Sequence, residues 1–250
     1  SVTIAEVLQE NGYGTYMSGK WHITRKEDIK KNIQVAFPKQ RGFDGVYSFL
    51  AGAASYYWPA AMVRDNEFID EEIKNDEDYY ITDAISDNAV NYINEHVEKR
   101  SEDPFFMYVA YTAPHWPLHA KEEDIKKYEG KFDEGWDKLR EKRMQRLKAI
   151  GLIDDSWEIS DRDPAEDPWE ETSDKDWQTR RMETYAAQID SMDQGIGRIV
   201  QSLKDNGVYE DTLIIFLADN GGCAEVTKAH WKPGKVRGLS AQANTKDGKS

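Results

Sequence analysis

Hydrophobic residues recur at helical spacing in three stretches of the chain. The first lies near the start, where Thr3 and Glu6 are spaced as a capping box ahead of an apolar face. The second helix is predicted to have Thr82 or Asp83 as its N-cap, and its apolar residues recur three and four positions apart. The third runs from about residue 182 to 206. The pattern predicts three amphipathic helices.

Three segments of strand length separate or follow these helices, at residues 14–18, 105–111 and 212–218. The last two are apolar runs of the kind found in strands buried on both faces of a parallel sheet. The order of helices and strands predicts an α/β protein with a mainly parallel sheet. Residues 121–180 and 224–250 are charged or irregular, and both are predicted to be surface insertions.

Composition narrows the class of protein. The chain has 250 residues, of which 39% are hydrophobic, enough for a sizeable core. Its formal charge of −14 disfavours a general nucleic-acid binder, which would carry a basic face. No apolar run approaches the roughly 20 residues that a membrane helix needs. The single cysteine, Cys223, excludes an internal disulfide and an all-cysteine metal site.

Chemically capable residues follow each predicted strand. Lys20 and His22 follow the first, His115 follows the second, and Asp219 and Asn220 follow the third. Because parallel strands end at one edge of a sheet, these side chains are predicted to converge there. The Asp and Asn oxygens suit Ca²⁺ or Mg²⁺, the lysine suits an oxyanion, and the histidines suit proton transfer. Together they indicate hydrolysis of a tetrahedral oxyanion ester.

Each of these motifs alone has a commoner structural explanation. The Asp-Asn-Gly-Gly sequence at 219–222 is a frequent turn. A lysine after a strand is usually solvated, and a histidine beside a proline is often only part of a loop. Their joint occurrence at three strand ends favours a site. The other histidines, His96, His119 and His230, are given no catalytic role.

Four stretches resemble motifs of the type I sulfatases, in the same order along the chain. Residues 15–22 end in Gly-Lys-Trp-His, 41–44 read Arg-Gly-Phe-Asp, 113–117 read Ala-Pro-His-Trp-Pro, and 213–222 end in Asp-Asn-Gly-Gly. The resemblance implies the alkaline-phosphatase-like fold, a three-layer sandwich with a mainly parallel sheet. It also implies hydrolysis of sulfate monoesters with one Ca²⁺ and a formylglycine nucleophile.

The resemblance further assigns roles to single residues. Lys20 would bind a sulfate oxygen and the formylglycine. His22 would contact the formylglycine hydroxyl and assist sulfate release. His115 would bind sulfate and protonate the leaving oxygen, and Ser55 would lie near the sulfate.

The sequence departs from the family pattern at the nucleophile and at the metal. Asp219 and Asn220 would be two of the calcium ligands, and the family's paired aspartates are not found. The C/S-x-P-x-R motif that gives rise to formylglycine is also not found, since Cys223 precedes Ala-Glu. Residues 1–250 are therefore expected to be a partial catalytic domain, truncated at both ends and inactive alone.

Two other functions remain compatible with the sequence. One is a phosphodiesterase or phosphonate monoester hydrolase of the same superfamily, and the other is a non-catalytic relative that binds sulfated glycans. The expected partner is a sulfated small molecule or glycan, with neither nucleic acid nor membrane involved. By resemblance, the expected location is the periplasm or the extracellular space.

Overall fold

The computed structural model describes residues 1–164 and 166–221. The chain divides into two compact units. One, here called the sheet unit, comprises Ser1–His119 and the chain from Ile189 onward. The other, here called the charged unit, comprises Ala120–Gln188. The predicted insertion at 224–250 and Cys223 lie outside the described residues.

A five-stranded sheet forms the centre of the sheet unit. Its order is β4-β3-β2-β1-β5, and β1 pairs in parallel with both β2 and β5. The pairs β2–β3 and β3–β4 are antiparallel, so the sheet is mainly parallel with a hairpin at one side. The strands are β1 (Gly14–Lys20), β2 (Gly45–Phe49), β3 (Met62–Arg64), β4 (Glu67–Phe68) and β5 (Phe105–Ala110).

Helices cover both faces of this sheet. Over both units, the described residues form the helices α1 (Ile4–Glu10), α2 (Lys26–Lys30), α3 (Asp70–Lys74), α4 (Ile81–Arg100), α5 (Glu122–Lys126), α6 (Gly135–Ala149) and α7 (Lys175–Asp205). Short 3₁₀ turns lie at Gln34–Ala36, Pro38–Arg41, Trp169–Glu171 and Tyr209–Asp211. Within the described residues, no helix combines the length and apolar character needed to cross a membrane.

Alternation along the strands separates two apolar clusters. Met17 and Val46 pack in one cluster with Ala5 of α1. Tyr47 and its neighbours on the opposite face pack in the other with Ile85 of α4. Successive strand residues point to opposite faces, so the sheet unit has three layers, helix on sheet on helix.

Of the two predicted helix N-caps, one is confirmed and the other is wrong. The capping box of α1 is confirmed, since Thr3 accepts from the Glu6 backbone and Glu6 accepts from the Thr3 backbone. The prediction that Thr82 or Asp83 caps the next helix is wrong, because α4 begins at Ile81. The Ile81 N–H donates to the carbonyl of Tyr56 at 2.8 Å, so a distant backbone group takes the place of a side-chain cap.

The predicted strand at 212–218 is also wrong. The structure has no strand there, and Leu213 is 85% exposed. Apolar residues favour burial, but a strand also needs a neighbour for its backbone groups. No described strand pairs with this segment. The strand predicted at 105–111 does form, as β5, but the prediction that it is buried is wrong. Among the described strands β5 lies at the edge of the sheet, none of its residues is buried, and Tyr108 is exposed.

The charged unit contains α5, α6 and the first part of α7, with a largely irregular segment between α6 and α7. Helices α5 and α6 lie within the charged stretch at 121–180. The Trp136 and Trp169 rings meet edge to face, with centroids 4.8 Å apart. Asp137 accepts from the Trp169 backbone at 2.8 Å and from Arg162 at 3.0 Å. These contacts hold the irregular segment against the start of α6.

Candidate active site

Three parallel strands end together at one edge of the sheet. In the register, Lys20 of β1 lies opposite Phe49 of β2, and Gly19 lies opposite Ala110 of β5. We call this the carboxyl edge. Ligands of open α/β sheets bind beyond this edge, and the chain places its candidate residues there.

Gly19 allows β1 and β5 to approach closely just before Lys20. Its φ is +123°, a conformation that side chains rarely adopt. A Cβ atom at this position would lie 2.0 Å from the carbonyl oxygen of Ala110. Only glycine fits, and the lysine that follows is therefore held at a fixed point of the edge.

His22 occupies a constrained position immediately after β1. Its φ of 55° lies in the left-handed region, which is uncommon for a residue with a side chain. The preceding Trp21 anchors the turn, because its backbone N–H donates to Phe49 at 2.8 Å and its indole donates to Ala36 at 2.7 Å. Backbone strain of this kind clusters at functional sites.

Gly52 lies against the His22 imidazole. A Cβ atom at Gly52 would be 2.5 Å from Nε2 and 2.8 Å from Cε1 of His22. The loop that follows β2 is thus in contact with the loop that follows β1. Gly52 was not singled out from the sequence, where it is one small residue among several.

His115 lies in a turn after β5. Its backbone N–H donates to Thr112 at 2.9 Å, and its Nδ1 is 2.6 Å from the carbonyl oxygen of Trp116. Because a carbonyl only accepts, Nδ1 carries the hydrogen. Nε2 is then the nitrogen that can accept or deliver a second proton.

Electrostatics links the three side chains. Burial lowers the pKa of His22, and the positive charges of Lys20 and His115 lower it further. Burial also lowers the pKa of Lys20, while the carboxylate of Asp219 opposes that shift. Lys20, His22 and His115 therefore lie within range of one another, as predicted from the strand ends. The neutral imidazole is the favoured form of His22 at neutral pH.

Asp219 and Asn220 offer part of a hard-cation site. Both are exposed, and the Asn220 amide nitrogen donates to the carbonyl oxygen of Gly221 at 2.7 Å. Calcium takes about 6–8 oxygen ligands, so this pair suits the ion in kind but not in number. Among the described residues, no group of three or more His, Cys, Asp or Glu is arranged to hold a metal.

Ser55 is placed inside a turn. It is 1% exposed, and its hydroxyl oxygen accepts from the backbones of Tyr57 and Trp58, both at 3.2 Å. These hydrogen bonds show that Ser55 stabilises the turn. Its position near the sulfate remains a prediction. His96 is buried and contacts Tyr16 and Asp103, in agreement with a structural role.

Replacing Gly52 with alanine is expected to lower the catalytic rate while leaving the fold intact. The added methyl group displaces the His22 ring, and misplacement of about 1 Å lowers rates by about 100-fold. We expect kcat/KM of the intact protein to fall about 10- to 100-fold. Gly197→Ala is the control, since nothing lies within 4 Å of its added Cβ. Equal activity of the two variants would contradict the prediction that the contact between Gly52 and the His22 ring matters for catalysis.

His119 is buried beside the active-site loop and makes stability depend on pH. It is 3% exposed, burial lowers its pKa to about 4, and its Nε2 has no partner among the described residues. The rings of Tyr56 and Tyr57 pack against it. The folded state therefore resists the proton that the unfolded state accepts below its ordinary pKa of 6.5.

The unfolding free energy is accordingly expected to fall as pH drops from 6.5 towards 4. The His119 contribution over this range is on the order of 3 kcal/mol. Denaturant titrations of the intact protein and of His119→Gln at several pH values measure it, because the difference between them cancels the other titrating groups. If the difference in unfolding free energy between the two proteins did not change with pH, the pKa of His119 would be the same in the folded and unfolded states.

Comparison with known proteins gives a consistent result. The family model described as Sulfatase matches residues 1–246. An uncharacterized sulfatase of Schizosaccharomyces pombe is 32% identical over 241 residues, covering 90% of this chain and 42% of that protein. An arylsulfatase of Klebsiella aerogenes is 32% identical over 228 residues, covering 88% of this chain and 47% of that protein. The chain thus spans less than half the length of these curated relatives.

A solved structure has a similar fold. The crystal structure of Ps i-CgsB in complex with k-i-k-neocarrahexaose gives a TM-score of 0.52 at 27% identity. The match covers 82% of this chain and 37% of that chain. The three-layer arrangement and the mainly parallel sheet agree with the alkaline-phosphatase-like fold expected from the sequence motifs.

Proposed function

Because the chain belongs to the sulfatase family, we propose that it forms part of an enzyme that hydrolyses sulfate monoesters. The observation that carries the proposal is the convergence of Lys20, His22 and His115 at the carboxyl edge. Two imidazoles and an ammonium group within electrostatic range of one another provide both charge and proton transfer for an anionic ester.

Lys20 is assigned to binding the sulfate group. Its ammonium group extends from the end of β1, at a point fixed by Gly19. Partial burial strengthens its attraction for an anion, because less water screens the charge. As negative charge shifts between sulfur and the leaving oxygen, a fixed cation stabilises the transition state without reorganising.

The two histidines are assigned opposite proton transfers. His115 holds its Nδ1 hydrogen on the Trp116 carbonyl, so Nε2 can carry a proton to the departing oxygen of the alcohol or phenol. His22 is favoured in its neutral form and can accept a proton at the step that releases sulfate. Burial first, and then the positive charges of Lys20 and His115, lower the pKa of His22 and favour the unprotonated form that a base requires.

The proposed nucleophile and metal ion rest on the resemblance to the family. A hydrated formylglycine would supply the oxygen that attacks sulfur. Asp219 and Asn220 would hold part of a Ca²⁺ site, and the ion would supply positive charge beside the sulfate oxygens. Asp219 lies within electrostatic range of Lys20, which supports placing this pair at the same site.

The proposed substrate class is a sulfated carbohydrate or an aryl sulfate. The complex of Ps i-CgsB with k-i-k-neocarrahexaose supports a carbohydrate, and the similarity to an arylsulfatase supports an aryl ester. The proposed location is the periplasm or the extracellular space, which follows from the family resemblance alone.

Paired substrates test the proposal. The intact protein is assayed with 4-nitrophenyl sulfate, 4-nitrophenyl phosphate and a bis-aryl phosphate diester at equal concentration. Preference for the sulfate ester is the expected result, since one Lys and two His provide limited charge for a phosphate dianion. Preference for either phosphate ester would favour the related phosphoester hydrolases. Sulfated-glycan binding without hydrolysis would favour a non-catalytic relative.

A further inference from the structure

We propose that Tyr56 is a positioning residue for His115. The inference rests on the proposed function, because it concerns the proton that His115 delivers. The Tyr56 hydroxyl donates to the carbonyl oxygens of Thr112 at 3.0 Å and of His115 at 2.8 Å. A single hydroxyl thus contacts both ends of the turn that carries the histidine.

The Tyr56 hydroxyl adds to a hydrogen bond that the turn makes within its own backbone. The His115 N–H donates to Thr112 at 2.9 Å, which closes the turn once. A hydroxyl has one hydrogen, so Tyr56 shares it between the two carbonyls. The second closure holds the His115 carbonyl, and with it the direction in which the imidazole leaves the backbone.

Tyr56 can hold the turn because its own position is fixed. Its side chain is 1% exposed, and its ring lies 5.8 Å from that of Tyr80 and 6.2 Å from that of His119. Its carbonyl accepts from Ile81 at the start of α4 at 2.8 Å. The contact therefore ties the loop after β2, the start of α4 and the loop after β5 together.

A positioning role has a distinct kinetic signature. If His115 protonates the leaving oxygen, its misplacement slows esters of weakly acidic phenols most, because those leaving groups depend on the proton. Loss of active protein, by contrast, lowers the rate with every ester equally. The ratio of kcat values for a poor and a good leaving group therefore separates positioning from stability.

The test compares Tyr56→Phe with Tyr47→Phe in the intact protein. Both changes remove one buried phenol hydroxyl and keep the ring, and both residues belong to the same apolar cluster. The Tyr47 hydroxyl instead pairs with Tyr79 at 2.8 Å. We expect Tyr56→Phe to lower kcat about tenfold for phenyl sulfate, less for 4-nitrophenyl sulfate, and to leave KM within about twofold. We expect Tyr47→Phe to leave the ratio unchanged.

A second measurement does not depend on activity. The His115 ring resonances, assigned in protein labelled with ¹³C-histidine, are expected to shift in Tyr56→Phe and to stay in place in Tyr47→Phe. Unchanged His115 resonances, or equal losses with both esters, would overturn the positioning role. A wild-type protein that hydrolyses no sulfate ester would contradict the proposed function instead, and the resonances would then decide the role of Tyr56 alone.

Discussion

Replacing Lys20 with alanine is expected to lower kcat/KM for aryl sulfates by about 10²- to 10³-fold, the usual effect of removing one group that stabilises developing negative charge. Lys20 is held at the end of β1, and its ammonium group is partly buried. Steady-state rates of the intact protein measure the loss.

Lys99→Ala provides the matched control for this prediction. Lys99 is exposed near the end of α4 and pairs with Glu95 at 2.9 Å, so its removal changes the net charge by the same amount. Its activity is expected to match the wild type, because an exposed pair of this kind contributes little. Similar losses in the Lys20 and Lys99 variants would mean that net charge, rather than a placed ammonium group, matters.

Replacing His115 with glutamine is expected to produce the second large loss, and the loss should depend on the leaving group. General acid catalysis contributes typically about 10²- to 10⁴-fold. The amide can still hydrogen-bond but cannot deliver a proton, so phenyl sulfate should lose most and 4-nitrophenyl sulfate least. The measurement is a plot of log kcat against leaving-group pKa for the wild type and for the variant.

A steeper slope for His115→Gln is the outcome that the proton-donor role requires. If the plots for the wild type and for His115→Gln had the same slope and differed only by a constant, His115 would be assigned to sulfate binding alone. His96→Gln is the control, because His96 is also buried and contacts Tyr16 and Asp103 rather than the residues of the proposed site. It should reproduce the wild-type slope at neutral pH.

Local sequence signals predicted the elements that local contacts stabilise. The capping box of α1 involves only Thr3 and Glu6, three residues apart. Helix α7 extends to Lys175, earlier than predicted, because its first turns are polar and give no apolar periodicity. The start of α4 was missed because the Tyr56 carbonyl that accepts from Ile81 is distant in sequence.

The predicted strand at 212–218 shows the limit of an apolar pattern. Hydrophobic side chains indicate a tendency towards burial, and strand formation also depends on a neighbour that can pair with the backbone. The described part of the chain provides none for this segment. Leu213 and Phe216 are consequently exposed.

The site was predicted through topology rather than through any single motif. Once β1 and β5 are parallel neighbours, Lys20, His22 and His115 must leave the same edge. The supporting residues Gly52 and Tyr56 could not be found in this way. Their roles depend on a close approach to the His22 ring and on carbonyls of a distant turn, which exist only in the folded chain.

A double-mutant cycle between Lys20 and His115 tests most directly that these residues form one site for sulfate ester hydrolysis. Sulfate release and kcat/KM are measured for the wild type, Lys20→Ala, His115→Gln and the double variant of the intact protein. When two groups act as a unit, the losses in kcat/KM from removing each one do not add in free energy. The double variant should therefore be only slightly less active than the less active of the two single variants. A wild type that releases no sulfate, or a double loss equal to the product of the single losses, would contradict the account.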